Sequence, residues 1–390
     1  KPVKWIEDRQ EHFVTTNTQR DSWWDLKIAC DNKGRISGVR GKIITDQGAY
    51  IPWGLLLAFT SMTPLPGPYK ILSMDIDQQV VFTNTVPNTP VRGAGRPNAA
   101  YAMERVIETV SRHLKIGSAE IRRRNFVEKK DFPYKTGLIH FNGTPMSYDS
   151  GDYHQLLEKA LDLADFDNFF ERQKQARENG QFLGIGISSC IEDTGNGPYE
   201  GVTVRVDTRG KVYVSSGAAS QGQGHKTVLT QIVADQLTVG FEDIHVEIGD
   251  TSKFPQGVGT VASRVGVNIG TAAFSAANEV REKALNLASD ILETDLEDLE
   301  IEDGIIRDKS RKNLTISLGE IALKLAPMSG GAVPVGHSAS LESTSYQASN
   351  GMPHASGSNV CEVEVDIGDK WTIVTSKVKG HRNPKSSLAN

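Results

Sequence analysis

Three glycine-rich runs carry the residues with the clearest chemical potential: Thr89-Pro90-Val91-Arg92-Gly93-Ala94-Gly95-Arg96-Pro97, Gln221-Gly222-Gln223-Gly224-His225 and Gly257-Val258-Gly259-Thr260-Val261-Ala262-Ser263-Arg264. Each stands just ahead of a stretch with helical apolar spacing. The first turn of a helix leaves backbone N–H groups without intrahelical partners and carries a partial positive charge, so it attracts anions. Glycine lets that backbone approach a ligand closely and take dihedrals that other residues avoid. Three such runs in one chain point to one large anionic cofactor gripped mainly by main chain. Taken singly, each run reads equally well as a turn. His225 reads as a loop hydrogen-bonding residue rather than a metal ligand.

The elements that must position these runs follow from periodicity. Residues 5–83 are β-rich, with strands over 36–44 and 76–82 around a Pro/Gly loop at 64–68, and residues 2–5 read as the middle of a strand. Pro97 suits the first position of a helix. Met103, Val106, Ile107, Val110 and Leu114 then follow at spacings of three and four. A short helix covers 119–125, where Arg122-Arg123-Arg124 reads as a solvated or salt-bridged face. Helices over 153–163 and 168–178 look like a connection, and a new β-rich region opens at Gly184. Val202, Val204 and Val206 alternate with polar residues and form a hairpin with Val212 and Val214. A helix through Val228, Leu229, Ile232, Val233 and Leu237 follows the second run. A strand lies at 245–248, and a helix over 272–288 follows the third run. Ser317-Leu318-Gly319-Glu320 has the capping-box pattern, and 360–366 is the last strand. This order predicts an α+β protein, with one domain over 1–150, a helical connection over 151–183 and a second domain over 184–390.

Composition narrows the function. The 390 residues suffice for two domains, and 38% hydrophobic with 23% charged residues is ordinary for a soluble protein. A net charge of −5 without a basic stripe argues against nucleic acid or an anionic membrane as partner. No apolar run approaches the ~20 residues of a membrane span. Cys30, Cys190 and Cys361 form no CxxC pair, so neither an iron–sulfur cluster nor structural zinc is encoded. Sparse, unpaired cysteines and the absence of a signal-peptide pattern fit the cytoplasm.

The residues of several segments carry a resemblance. They are Pro2-Val3-Lys4-Trp5-Ile6-Glu7-Asp8-Arg9, residues 89–98, Arg122-Arg123-Arg124-Asn125, Tyr148-Asp149-Ser150-Gly151-Asp152-Tyr153, Thr194-Gly195-Asn196-Gly197-Pro198-Tyr199-Glu200-Gly201, residues 221–225, Gly249-Asp250-Thr251 and residues 259–264. In that order they resemble the molybdenum-binding large subunit of the xanthine dehydrogenase/aldehyde oxidase family, nearest its carbon monoxide dehydrogenase large-chain branch. The likeness extends to about residue 366. It implies two mixed α/β molybdopterin-binding domains with the cofactor at their interface, incomplete at both ends. The molybdenum is then held by the pterin dithiolene, in the plain or the cytosine dinucleotide form, and by no protein side chain.

By this resemblance Gln221, Gly222, Gln223, Gly224 and His225, together with Gly259, Thr260, Ala262, Ser263 and Arg264, contact the cofactor. Arg92 acts at the substrate, and Gly93, Ala94, Gly95 and Arg96 shape its pocket. Glu192 and Glu200 read as structural ion-pair partners, with a role in the site as the weaker alternative. Gly93 stands where CO-oxidising members carry a copper-holding cysteine, which disfavours CO as substrate. The implied reaction is hydroxylation of an aldehyde or N-heterocycle with water as oxygen source, electrons leaving through iron–sulfur and FAD partner subunits. The family's base, a glutamate in a GxGE segment, has no counterpart in this sequence. The chain alone is therefore expected to be inactive, with a second molybdenum subunit bearing that glutamate as a partner. The rival is a non-catalytic molybdopterin-binding scaffold. A dinucleotide site at Gly184-Ile185-Gly186-Ile187-Ser188 is the third reading, weakened by the missing third glycine.

Overall fold

Along Ser22–Cys30 every second side chain turns inward, the period-two signature of a strand covered on one face. This strand pairs antiparallel with Ile36–Asp46, which pairs parallel with Met74–Val81. The computed structural model describes residues 2–53, 55–327, 335–349, 351–366 and 372–383. In it the helix Arg96–Leu114 buries Ala99, Ala102, Met103, Ile107 and Val110, and these side chains share one core with Ile36 and Val39 of the sheet. Residues 2–8 are not a strand, contrary to expectation. Asp8 instead caps a short helix, Arg9–Thr15, in a capping box with Glu11.

The chain divides into two compact units, Lys1–Glu192 with Pro353–Ala389, and Asp193–Met352. The expected boundary at 151–183 is therefore displaced. The helices Tyr153–Leu163 and Phe166–Glu178 belong inside the first unit, where Leu156, Leu157, Ala160 and Leu161 pack in the same core as Ile187, Ile191 and Val360. They accompany a second sheet ordered Thr372–Asn383, His354–Asp366, Phe182–Asp193. Arg172 grips Glu362 of that sheet through two bonds of 2.9 and 3.0 Å. Two of its three strands come from residues beyond 353, so the unit is discontinuous in sequence. The strand Thr372–Asn383 also extends the sheet beyond the last one expected.

The arginine run in this unit is salt-bridged. Arg123 pairs with Glu158 and Arg124 with Glu120. Arg122 is buried: its Nε donates to Glu104 Oε2 at 2.9 Å and its Nη2 to the Ile187 carbonyl at 2.9 Å. Glu104 also accepts from the Tyr69 hydroxyl and the Ser189 N–H. Removing one partner of such a pair leaves a buried charge and costs about 3–5 kcal/mol.

The second unit is built on a sheet ordered Glu342–Gln347, Glu200–Val206, Val212–Ser216, Ile244–Ile248. Its core includes the helices His225–Leu237 and Val265–Leu292. The latter starts seven residues before the expected 272. Gly266, Asn268 and Gly270 are poor helix formers, yet Val265, Val267, Asn268 and Ile269 are buried there, so packing overrides propensity. Its Ala272, Ala273, Ala276, Ala277, Ala284 and Ala288 form a small-residue stripe inside the core. A further sheet of this unit, Leu299–Glu302, Ile305–Asp308 and Thr315–Ser317, ends at the Ser317–Glu320 capping box. No helix among the described residues is long and apolar enough to cross a membrane.

Candidate functional site

The first glycine-rich run lies in the first unit and ends at Gly95, the N-cap of the helix Arg96–Leu114, with no side-chain capping bond. Gly93 and Ala94 have positive φ, 100° and 48°. A Cβ on Gly93 would come within 2.7 Å of Pro97 Cγ, and one on Gly95 would overlap the backbone of Thr60 and Ser61. Glycine is thus required by the turn itself at Gly93 and by the packing of Thr60 and Ser61 at Gly95. The loop is braced from a distant segment. The Gln19 side-chain amide accepts from the Val91 N–H and donates to the Ala94 carbonyl. Arg20 Nη2 donates to the Arg92 carbonyl at 2.6 Å. Arg92 itself is exposed and has no ion-pair partner among the described residues. Arg96 lines a small cavity with Tyr69, Glu104 and Cys190. Gln19 and Arg20 carry no motif, and sequence reasoning missed them.

The second and third runs lie together in the second unit. Gly224 is the N-cap of His225–Leu237, and Arg264 that of Val265–Leu292; neither helix start receives a side-chain capping bond. Gly222, Gly224 and Gly259 have φ of 99°, 78° and 103°, and a Cβ at any of them would meet no atom within 4 Å. Ala262 and Ser263 follow in the left-handed region. The main chain is therefore bare on one side of both loops. The loops are fastened to each other: the Thr260 hydroxyl donates to the Ala219 carbonyl, and a Cβ on Gly217 would overlap the Gln256 carbonyl. Gln221 N–H is turned onto Gln223 Oε1 at 2.6 Å. Gln221 and Ser263 are exposed. His225 is buried with its Nδ1 lacking a hydrogen-bond partner among the described residues, and burial holds the ring's pKa below the ordinary imidazole value.

Arg264, expected among the cofactor contacts, has its guanidinium 1% exposed and engaged by protein, so that only its main chain is left to face a ligand. Nε donates to the Asn196 carbonyl at 2.9 Å, Nη1 to Glu200 and Nη2 to the Pro198 carbonyl. Glu200 is accordingly the structural ion-pair partner that its sequence context indicated. Gly184 to Ser188 lie within the strand Phe182–Asp193, not at a strand-to-helix turn, which removes the dinucleotide reading.

The second unit thus presents two uncapped helix starts with open glycine backbone and one buried, unpartnered imidazole nitrogen. Among the described residues no group of three His, Cys, Asp or Glu is assembled to hold a metal. This donor set fits an anionic, amide-recognised group that brings its own metal ligands.

Two molybdopterin cofactor-binding domain families match the chain, over residues 1–126 and 159–376. Over 94% of its length the chain is 35% identical to the gamma subunit of the 6-hydroxypseudooxynicotine dehydrogenase complex of Paenarthrobacter nicotinovorans, covering 46% of that protein. It is 31% identical to the carbon monoxide dehydrogenase large chain of Hydrogenophaga pseudoflava, over 94% of this chain and 47% of the relative. It superposes on quinoline 2-oxidoreductase of Pseudomonas putida 86 with a TM-score of 0.84 and 31% identity, covering 96% of this chain and 49% of that one. The chain belongs to the molybdopterin-binding large subunits of the xanthine dehydrogenase/aldehyde oxidase family, the molybdenum hydroxylases. It spans about half the length of the curated relatives it matches.

Proposed function

We propose that this chain provides the molybdopterin-gripping part of a hydroxylase that oxidises an N-heterocycle or an aldehyde, with water as oxygen source. The observation that carries this reading is the pair of uncapped helix starts in the second unit, joined through Thr260 and the Gly217–Gly257 contact. The backbone of Gln221–Gly224 and Gly259–Ser263 would hold the pterin and its phosphate, in the plain or cytosine dinucleotide form. His225, kept neutral by burial, would offer its ring nitrogen to the same group. When bound, the cofactor supplies the two-electron redox and oxygen-transfer chemistry.

The protein's own share is orientation and charge. Arg92, unpaired and carried on a braced turn, would stabilise negative charge developing on the substrate. Gly93, Ala94, Gly95 and Arg96 would border the substrate. Relatives named for nicotine and quinoline support the heterocycle over the aldehyde. Carbon monoxide is disfavoured, because Gly93 has no side chain and its positive φ does not suit one. Electrons would leave to iron–sulfur and FAD subunits. The base would be a glutamate in a GxGE segment, which does not occur in this sequence. The second reading is a non-catalytic molybdopterin-binding scaffold.

The native complex is to be assayed for molybdenum and for dye reduction with quinoline-type and aldehyde substrates. Molybdenum with activity supports the hydroxylase, molybdenum without activity the scaffold, and a metal-free native complex refutes both. In the active complex, Arg92→Met should lower kcat/KM about 100-fold and change stability by less than about 0.5 kcal/mol.

A further inference from the structure

The segment Thr194-Gly195-Asn196-Gly197-Pro198-Tyr199-Glu200 has no part in the reading above, yet it encloses the Arg264 side chain. Arg264 and Glu200 side chains are both 1% exposed. Gly197, with φ 95°, takes a backbone conformation that side chains rarely adopt and so lets the segment turn against the guanidinium. The Glu200 oxygen that receives Nη1 also accepts the Val258 N–H at 3.2 Å. At the other end of the loop, the Gly195 N–H donates to the Ser263 carbonyl at 3.2 Å. Both ends of the Val258–Ser263 stretch are therefore tied to this one segment. Between the ties, Val261 and Ala262 are exposed.

A buried ion pair contributes little net stability relative to apolar side chains of the same volume. What an arginine does supply is a rigid fork that orients several acceptors at once. Here the acceptors are the Asn196 and Pro198 carbonyls and the carboxylate that fixes Val258. We propose that Arg264 and Glu200 are positioning residues: they set the main-chain conformation of Val258–Ser263 and thereby control how tightly the chain retains its pterin cofactor. This rests on the reading that the loop grips that cofactor.

The test uses Arg264→Lys, Glu200→Gln and the double variant Glu200→Leu/Arg264→Met, whose apolar pair keeps the unit folded. Hydrogen exchange is followed on the cofactor-free chain, and molybdenum and pterin content on the native complex. The Val258–Ser263 amides should exchange faster in Arg264→Lys and in the double variant, while those of Val212–Ser216 keep their wild-type rates. Glu200→Gln, which retains an acceptor for Val258, should show the smallest change. Cofactor retention should fall about 10–100-fold in Arg264→Lys and in the double variant. Unchanged loop exchange in the folded double variant overturns the proposal, and so does faster exchange with wild-type cofactor content. A wild-type native complex that holds no molybdenum overturns the cofactor reading itself and, with it, the role in retention; the exchange data, taken without cofactor, separate that failure from failure of the clamp.

Discussion

The loop ahead of Arg96–Leu114 and the loops of the second unit open the same way, with glycine before an uncapped helix, but they are held by different means. The first is braced over Val91–Ala94 by side chains, the Gln19 amide and the Arg20 guanidinium, at a partly exposed surface, and only its last glycine, Gly95, lies against backbone, that of Thr60 and Ser61. The others are held by backbone in contact with backbone at Gly217 and Gly257, and by an ion pair wholly inside the protein. A side-chain brace can shift by a rotamer, whereas a main-chain contact has no rotamer to change. The difference matches the proposed division of labour, in which a substrate-side loop varies and a cofactor cradle does not.

Three measurements can break or sharpen that contrast. Gly217→Ala should have the largest effect, because its methyl group would overlap the Gln256 carbonyl. A loss of about 3 kcal/mol or more is expected in urea unfolding, and a near-neutral result would end the case for a rigid cradle. Gln19→Ala removes two hydrogen bonds from the first loop and should cost about 1–2 kcal/mol. In the assembled enzyme it should alter KM while leaving molybdenum content at the wild-type level. If it instead empties the cofactor, the two loops are not separable.

The smallest effect expected is in pH dependence. Burial lowers the pKa of His225 below its ordinary 6.5, so between the folded value and 6.5 the unfolded state binds more protons. Its contribution to stability is therefore present above 6.5 and lost as pH falls toward the folded value. The wild-type Tm should drop slightly more than that of His225→Gln between pH 7 and pH 5, and NMR titration of the ring should report its lowered pKa. Equal drops, with an imidazole titrating at 6.5, would place His225 in open solvent.

Much of this was legible in the residues themselves. The helix beginning near Pro97 followed from Met103, Ile107 and Val110, and the hairpin from Val202, Val204, Val206, Val212 and Val214, because each period is set by local backbone geometry. One local signal was readable and passed over: Asp303-Gly304, both with positive φ, joins Leu299–Glu302 to Ile305–Asp308 as a tight hairpin. The domain boundary was not legible, since His354–Asp366 returns to a unit begun 350 residues earlier. The partners of Arg264 were equally hidden. A buried arginine and an exposed one share the same letter, and only the folded chain brings Glu200 to it.

The sequence by itself determined that three glycine-rich runs would precede helices, since spacing and glycine content act locally. It also carried enough ordered motifs to identify the family. Tertiary structure decided what each run does. It turned Arg264 inward and left Arg92 outward, and it fastened Gly217 to Gly257. Those outcomes depend on which distant segments, Gln19–Arg20 or Thr194–Glu200, pack against each loop, and burial and hydrogen bonding over such separations have no period along the chain.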